Sequence, residues 1–347
     1  MSYNRVVLLR GINDFNLEKL EVPKPGTGEI VIKVECSGLC PSDIKIIRYG
    51  SSLLRYPVVL GHETAGEIYA VGDDVTEVKI GEKVNIAADI FCGICKNCRE
   101  GRENLCENPL SFGYNVNGSH ADYMLVPKKG VPRAVFKIPD GLSTELATLT
   151  EPFACVVHSM NVSGASPGKK VAVIGDGPMA LMHVILSKIY GISSISVLGL
   201  HDKKLKIAQD LGADKVYNRK KYKNINEIIK ENLEGFDSVY LTVVNKETLE
   251  EAFKLVNKGG YVVVFAGVPS HSVSYTLDPN LIHYNEVSLI GSFGYTYVEY
   301  SKALKLLSEH QELVSKIISH RFKIEDFKEA VSAWDDKDKS IKIMITR

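Results

Sequence analysis

The sequence predicts an α/β chain of two domains, one rich in short β-strands and one built on a doubly wound parallel sheet, and three observations carry this. Its 347 residues exceed the size at which one hydrophobic core usually keeps growing. Up to about residue 151, β-rich segments are short and punctuated by Gly and Pro. Beyond it, strand-like and helix-like segments alternate in the βαβ rhythm.

In the first half, residues 30–34, 64–71 and 83–86 read as strands, set among turns such as AVGDDV, which gives a compact, irregular β domain. In the second half the series runs KKVAVIG, PMALMHVILSKIYG, SISVLG and DKKLKIAQDLG. It continues through NINEIIKENLEG, DSVYLTVV, KETLEEAFKLVNKGG, YVVVFAG and EVSLIGSF, supplying about six strands of parallel type with right-handed crossovers. The turn after the first of these strands is Gly175-Asp176-Gly177-Pro178-Met179-Ala180, a G-x-G-x-x-A form of the dinucleotide fingerprint. Gly175 allows the tight turn, Gly177 lets backbone approach a pyrophosphate, and Ala180 permits close helix–strand packing, with the helix N-terminus facing the phosphates.

Composition narrows the function classes. The 42 basic and 42 acidic residues cancel, which removes the footprint of a nucleic-acid or anionic-membrane binder and leaves small molecules as expected partners. No apolar run reaches the roughly 18 residues that span a bilayer, and no repeat of fixed period or low-complexity tract occurs. The opening MSYNRVVLLRG has no secretory pattern, so a reducing, cytoplasmic setting is expected.

Two cysteine-containing groups carry chemistry. Cys92, Cys95, Cys98 and Cys106, in CGICKNCREGRENLC, suit a closed tetrahedral zinc site. Disulfides fit poorly with a reducing compartment, and zinc ribbons usually separate their C-x-x-C pairs by about 15–20 residues, far more than here. The second group, Cys40, Asp43 and the adjacent His62 and Glu63 of VLGHETAG, mixes sulfur, imidazole and carboxylate as an open, reactive zinc site does.

GLCPSDIK at 38–45, GHETAG at 61–66, the four-cysteine lobe, EPFACVVHS at 151–159 and VIGDGPMA at 173–180 together resemble the zinc-dependent medium-chain alcohol and polyol dehydrogenases. The resemblance covers essentially the whole chain. It implies a GroES-like catalytic domain over residues 1–153 and 294–347, carrying a structural-zinc lobe at 91–107, and a Rossmann domain over 154–293. Cys40 and His62 match catalytic zinc ligands, Glu63 matches a ligand of the polyol branch, and Glu151 matches the E-P carboxylate that ligates zinc or holds its water. Asp43 matches the carboxylate that orients the metal histidine, and Ser42 the hydroxyl that relays a proton. The implied chemistry is hydride transfer from an alcohol acidified by zinc to a nicotinamide cofactor. Two zinc ions per subunit, a homotetramer paired through residues 286–293, and cofactor contacts from Gly267, Ser292 and Phe293 complete the expectation.

The substrate class expected is a polyol, sugar or other secondary alcohol, because a negative, hydrophilic metal site suits vicinal hydroxyls, with an L-threonine or simple secondary-alcohol dehydrogenase as the alternative. Phe112, Tyr114, Asn115, Asn117 and His120 are expected near the substrate. The chain departs from relatives at Pro41, at Lys45 in place of a relay histidine, and at Gly294, where sorbitol dehydrogenases carry an arginine. A non-catalytic module of the same fold would lack Cys40, His62 or Glu63, and a zinc-free quinone reductase would lack both groups; all are present.

The expected cofactor is NADP(H) rather than NAD(H). Gly199 takes the place at the end of the second parallel strand where an acid usually meets the ribose hydroxyls. Asp202 reads as the N-cap of the following helix, leaving Gly199, His201, Lys203 and Lys204 to receive a 2′-phosphate.

Overall fold

In the computed structural model the described residues are 3–230, 235–268 and 275–347, and they form two compact units. One comprises Met1–Ala154 with Tyr295–Arg347, the other Cys155–Gly294.

The first unit is built around strand β1 (Ile30–Leu39), whose residues are almost all buried. It pairs antiparallel with the strand Glu63–Val71, here β2, and with the C-terminal strand Lys342–Thr346. The register sets Gly38 opposite both Glu63 and Met344, so one end of β1 is flanked by residues from positions far apart in sequence. Further strands at Lys83–Ile86, Tyr123–Val126, Val135–Lys137 and Ile318–Lys323 complete a seven-stranded sheet. Helix α1 (Pro41–Tyr49) leaves the end of β1 directly, with Pro41 in its first turn, where a missing N–H costs nothing. Ile44 and Ile47 of α1 pack with Leu9, Leu39, Ile343 and Ile345 in the unit's core.

The second unit carries six parallel strands: β3 (Lys170–Ile174), β4 (Ser194–Gly199), β5 (Lys215–Asn218), β6 (Phe236–Leu241), β7 (Val256–Val264) and β8 (Ser288–Gly291). Their order in the sheet is β5-β4-β3-β6-β7-β8, so successive strands are added outward to one side from β3 to β5 and then to the other side from β6 to β8. That is the doubly wound order, with its switch point where a dinucleotide binds. β3, β4 and β6 are buried along almost their whole length, as strands covered on both faces are. Helix α2 (Pro178–Ile189) follows β3, and α3 (Asp202–Asp210) follows β4. Of the helix expected over 224–235, residues 225–230 are helical and 231–234 lie outside the described residues. No helix among the described residues is long and apolar enough to cross a membrane.

Candidate active site

The site in the first unit begins with a helix start. Cys40 stands at the N-cap of α1, and the Asp43 carboxylate turns back to accept its backbone N–H at 2.9 Å. Asp43 is fully buried, and its other oxygen lies 3.5 Å from His62 Nδ1. This carboxylate therefore holds both the chain entering α1 and the imidazole. His62 Nε2 is left facing Ser42 Oγ, 3.3 Å away. Ligand atoms of Cys40, His62 and Glu63 all lie within 4.8 Å of one another, so a thiol, an imidazole and a carboxylate converge on one point.

The electrostatics follow from burial. Burial alone would lower His62, but the Asp43 and Cys40 charges hold it well above its usual value; Asp43 is correspondingly depressed against the cost of its own burial. Glu63 is wholly buried and pairs with Lys342 of the C-terminal strand, itself 2 % exposed. Lys342 would be pulled down by burial, yet the Glu63 carboxylate keeps its pKa raised. Lys342 was not among the residues singled out in the sequence; only the antiparallel pairing of its strand with β1 brings it here. Glu151, in the first turn of the helix Thr150–Val162, does not join the three-residue cluster. Burial pushes its carboxyl up to about 7, partly offset by His62, and nearby Glu63 adds to the rise.

Of the aromatic and polar residues expected near substrate, Tyr114 reaches the site: its ring lies 6.1 Å from that of His62. Asn115 and Asn117 instead tie their own loop, to Ser111 N at 2.7 Å and Val59 N at 3.0 Å. Phe112 is core. His120 is buried behind Asp43, with Nε2 at 3.6 Å from that carboxylate and Nδ1 at 2.9 Å from Ser37 Oγ. Lys45 lies on the exposed side of α1.

The four-cysteine group closes on itself. All four sulfurs lie within 4.8 Å of one another, and none of the seven cysteines is in a disulfide. Cys95 caps the short helix Lys96–Arg99, which carries Cys98, while Cys106 follows a 3₁₀ turn at Glu103–Leu105. Backbone N–H groups point at sulfur: Cys92 N to Cys106 Sγ at 3.2 Å, Cys95 N to Cys92 Sγ at 3.4 Å. Such donors favour thiolates, the form that binds metal. The donor sets thus fit zinc in both places, closed here and open at Cys40, His62 and Glu63.

In the second unit, Gly175 has φ of +126°, and a Cβ on it would lie 2.1 Å from Thr242 Oγ1. A Cβ on Gly177 would stand in open space, and Ala180 is wholly buried at the helix–sheet contact. Gly177 caps α2, with Pro178 and Met179 in its first turn. Gly267 and Phe293 are exposed and Ser292 buried, just past the C-terminal ends of β7 and β8. This is the end of a parallel sheet at which ligands bind.

Two expectations at the end of β4 are corrected. Asp202 is not an N-cap: it is the first residue of α3, and it accepts from Asn218 Nδ2 at 2.8 Å and Lys221 Nζ at 3.0 Å. The N-cap position is His201, with no side-chain cap hydrogen bond, and the backbone just before the helix is tied instead to Asp176 of the glycine turn, whose Oδ2 accepts from Leu200 N at 2.6 Å and His201 N at 2.8 Å. The region at Gly199 therefore does hold a carboxylate. Lys204 is buried while Lys203 is exposed, so the pair does not present two cations on one face.

Residues 26–140 match the alcohol dehydrogenase GroES-like domain, and residues 178–309 match the zinc-binding dehydrogenase domain. A sorbitol dehydrogenase of Bacillus subtilis is 31% identical over 98% of this chain and 96% of its own length. An L-threonine 3-dehydrogenase of Rhizobium etli is 30% identical over 91% of each. Among solved structures, a zinc-binding dehydrogenase from Sinorhizobium meliloti bound to NADP superposes with a TM-score of 0.90 at 25% identity, covering 100% of both chains. The chain belongs to the zinc-dependent medium-chain alcohol dehydrogenase family, with its GroES-like and Rossmann-type domains.

Proposed function

We propose that the protein is an oxidoreductase that moves hydride between a secondary alcohol of a polyol or sugar and a nicotinamide dinucleotide, with two zinc ions per chain. The observation that carries this is the convergence of Cys40, His62 and Glu63 as an open donor set, apart from a closed four-cysteine set. Zinc at the open set would supply Lewis acidity to a substrate hydroxyl, and the dinucleotide would supply the hydride acceptor.

The chain's own residues do the rest. Asp43 fixes the His62 ring so that Nε2 faces inward. Ser42 Oγ, beside His62 Nε2, relays the substrate's hydroxyl proton, accepting it as its own proton passes on to solvent. Glu151, with its carboxyl pushed up to about 7, can take up and hold a proton at neutral pH that an ordinary glutamate would release. A negative, hydrogen-bonding surround of Glu63 and Glu151 suits a substrate with vicinal hydroxyls better than a simple alkyl alcohol. The lobe of Cys92, Cys95, Cys98 and Cys106 holds the second zinc for stability. A cytoplasmic tetramer is the assembly that fits these features.

Metal analysis of the pure protein, followed by a screen of polyols, aldoses, L-threonine and secondary alcohols with each dinucleotide, tests the reading. About two zinc per chain and turnover of a polyol or sugar alcohol are expected, with His62→Ala inactive yet folded. Zinc-free protein that added zinc cannot activate would overturn it.

A further inference from the structure

The second parallel strand ends on Gly199, where a carboxylate would ordinarily accept from the ribose hydroxyls of the dinucleotide. The side chain that Gly199 lacks is replaced in space by another. A Cβ built on Gly199 would come within 2.6 Å of Asp176 Oδ2, 2.7 Å of its Cβ and 2.9 Å of its Cγ. The Asp176 carboxylate thus stands where a strand-end side chain would begin. It is held there firmly: Oδ2 accepts from Leu200 N, from His201 N and, at 3.0 Å, from His201 Nδ1. Oδ1 lies further from that ring, at 3.2 Å, and retains lone pairs for another donor. The Asp176 side chain is 10% exposed, so its charge is only partly screened by water.

We propose that Asp176 supplies, from within the glycine turn, the ribose-recognising carboxylate that β4 lacks, and that it makes the protein selective for NAD(H) over NADP(H). The proposal rests on the reading of the second unit as the dinucleotide site. A carboxylate accepts hydrogen bonds from a 2′-hydroxyl but can offer none to a 2′-phosphate, and the two anions repel. Of the cations that could offset this, His201 Nδ1 already faces Asp176 and Lys204 is buried, which leaves Lys203 alone exposed. Gly199 follows from the same geometry, since a second acid there has no room. Position 176 lies in the variable place between two glycines, which is why the strand end alone suggested the opposite cofactor.

The test is direct binding of NADH and NADPH, read by nicotinamide fluorescence, with 5′-AMP and 2′,5′-ADP as competing probes. Wild-type protein is expected to bind NADH at least tenfold more tightly, about 1.4 kcal/mol. Asp176→Asn keeps the shape and removes the charge, and is expected to move the ratio at least tenfold toward NADPH. The double variant Asp176→Gly with Gly199→Asp removes the Cβ that would block a strand-end side chain, places the acid on the strand itself and is expected to restore the NADH preference, which a merely misfolded turn would not do. A wild-type preference for NADPH, or an unchanged ratio in Asp176→Asn, overturns the proposal alone. Binding of neither nucleotide overturns the dinucleotide reading and the proposal with it.

Discussion

Glu63 fits beside β1 because position 38 has no side chain: a Cβ there would lie 1.8 Å from Glu63 Oε2. Its charge is tolerated because Lys342 meets it in the same buried space. Removing one partner of a buried pair leaves the other uncompensated, which typically costs about 3–5 kcal/mol. Lys342→Met is therefore expected to lower the stability of the metal-free protein by that order in urea denaturation, and Lys342→Arg by less. An unchanged midpoint would contradict a stabilising role for the pair. Cys40, His62 and Glu63 were legible in the sequence because each sits in a short motif with few alternatives. Lys342 and Asp176 were not, because one reaches the site by strand pairing and the other by an unconstrained place inside the fingerprint.

Helices position the chemistry through their ends. α1 begins on Cys40 and is tied by Asp43, whereas the lobe from Cys92 to Cys106 has only a single-turn helix and a 3₁₀ turn, too little apolar surface to hold itself. Cys95→Ser is expected to reduce zinc from two to one per chain and to lower Tm while NADH binding persists; a variant that keeps both zinc ions would contradict the closed site. α2 carries a different sensitivity. His183 is wholly buried, with Nδ1 at 2.8 Å from Met179 O and Nε2 at 3.1 Å from Ser159 Oγ, and burial pushes its pKa down to about 4. A lowered pKa means the stabilisation is complete above the usual histidine value of about 6.5 and is lost as pH falls toward 4, roughly 3 kcal/mol in all. His183→Gln is expected to flatten stability against pH over that window, measured by denaturant titration at several pH values.

The alternating pattern of the second half made the six strands legible, since period and length separate buried strands from helices there. Nothing in that pattern states what covers an edge. β8 is the last strand of the sheet, pairing only with β7 among the described strands, and Leu289, Tyr284 and Phe293 beside it are exposed. Exposed, apolar edges are usually paired or covered. A tetramer joined across β8 is expected by light scattering at micromolar concentration, and Leu289→Lys is expected to shift it to smaller species; a monomeric wild type would refute this use of the edge.

The Glu63–Lys342 pair closes across 279 positions of sequence, and the whole second unit lies between its partners. During translation at about 5–20 residues per second, Glu63 leaves the ribosome tens of seconds before the lysine that matches it. For that interval the nascent donor set of Cys40, His62 and Glu63 has one more unpaired negative charge than in the finished fold. Newly made chains should therefore attract divalent ions to this donor set more strongly than the metal-free mature protein does, in which the C-terminal strand has brought Lys342 onto Glu63.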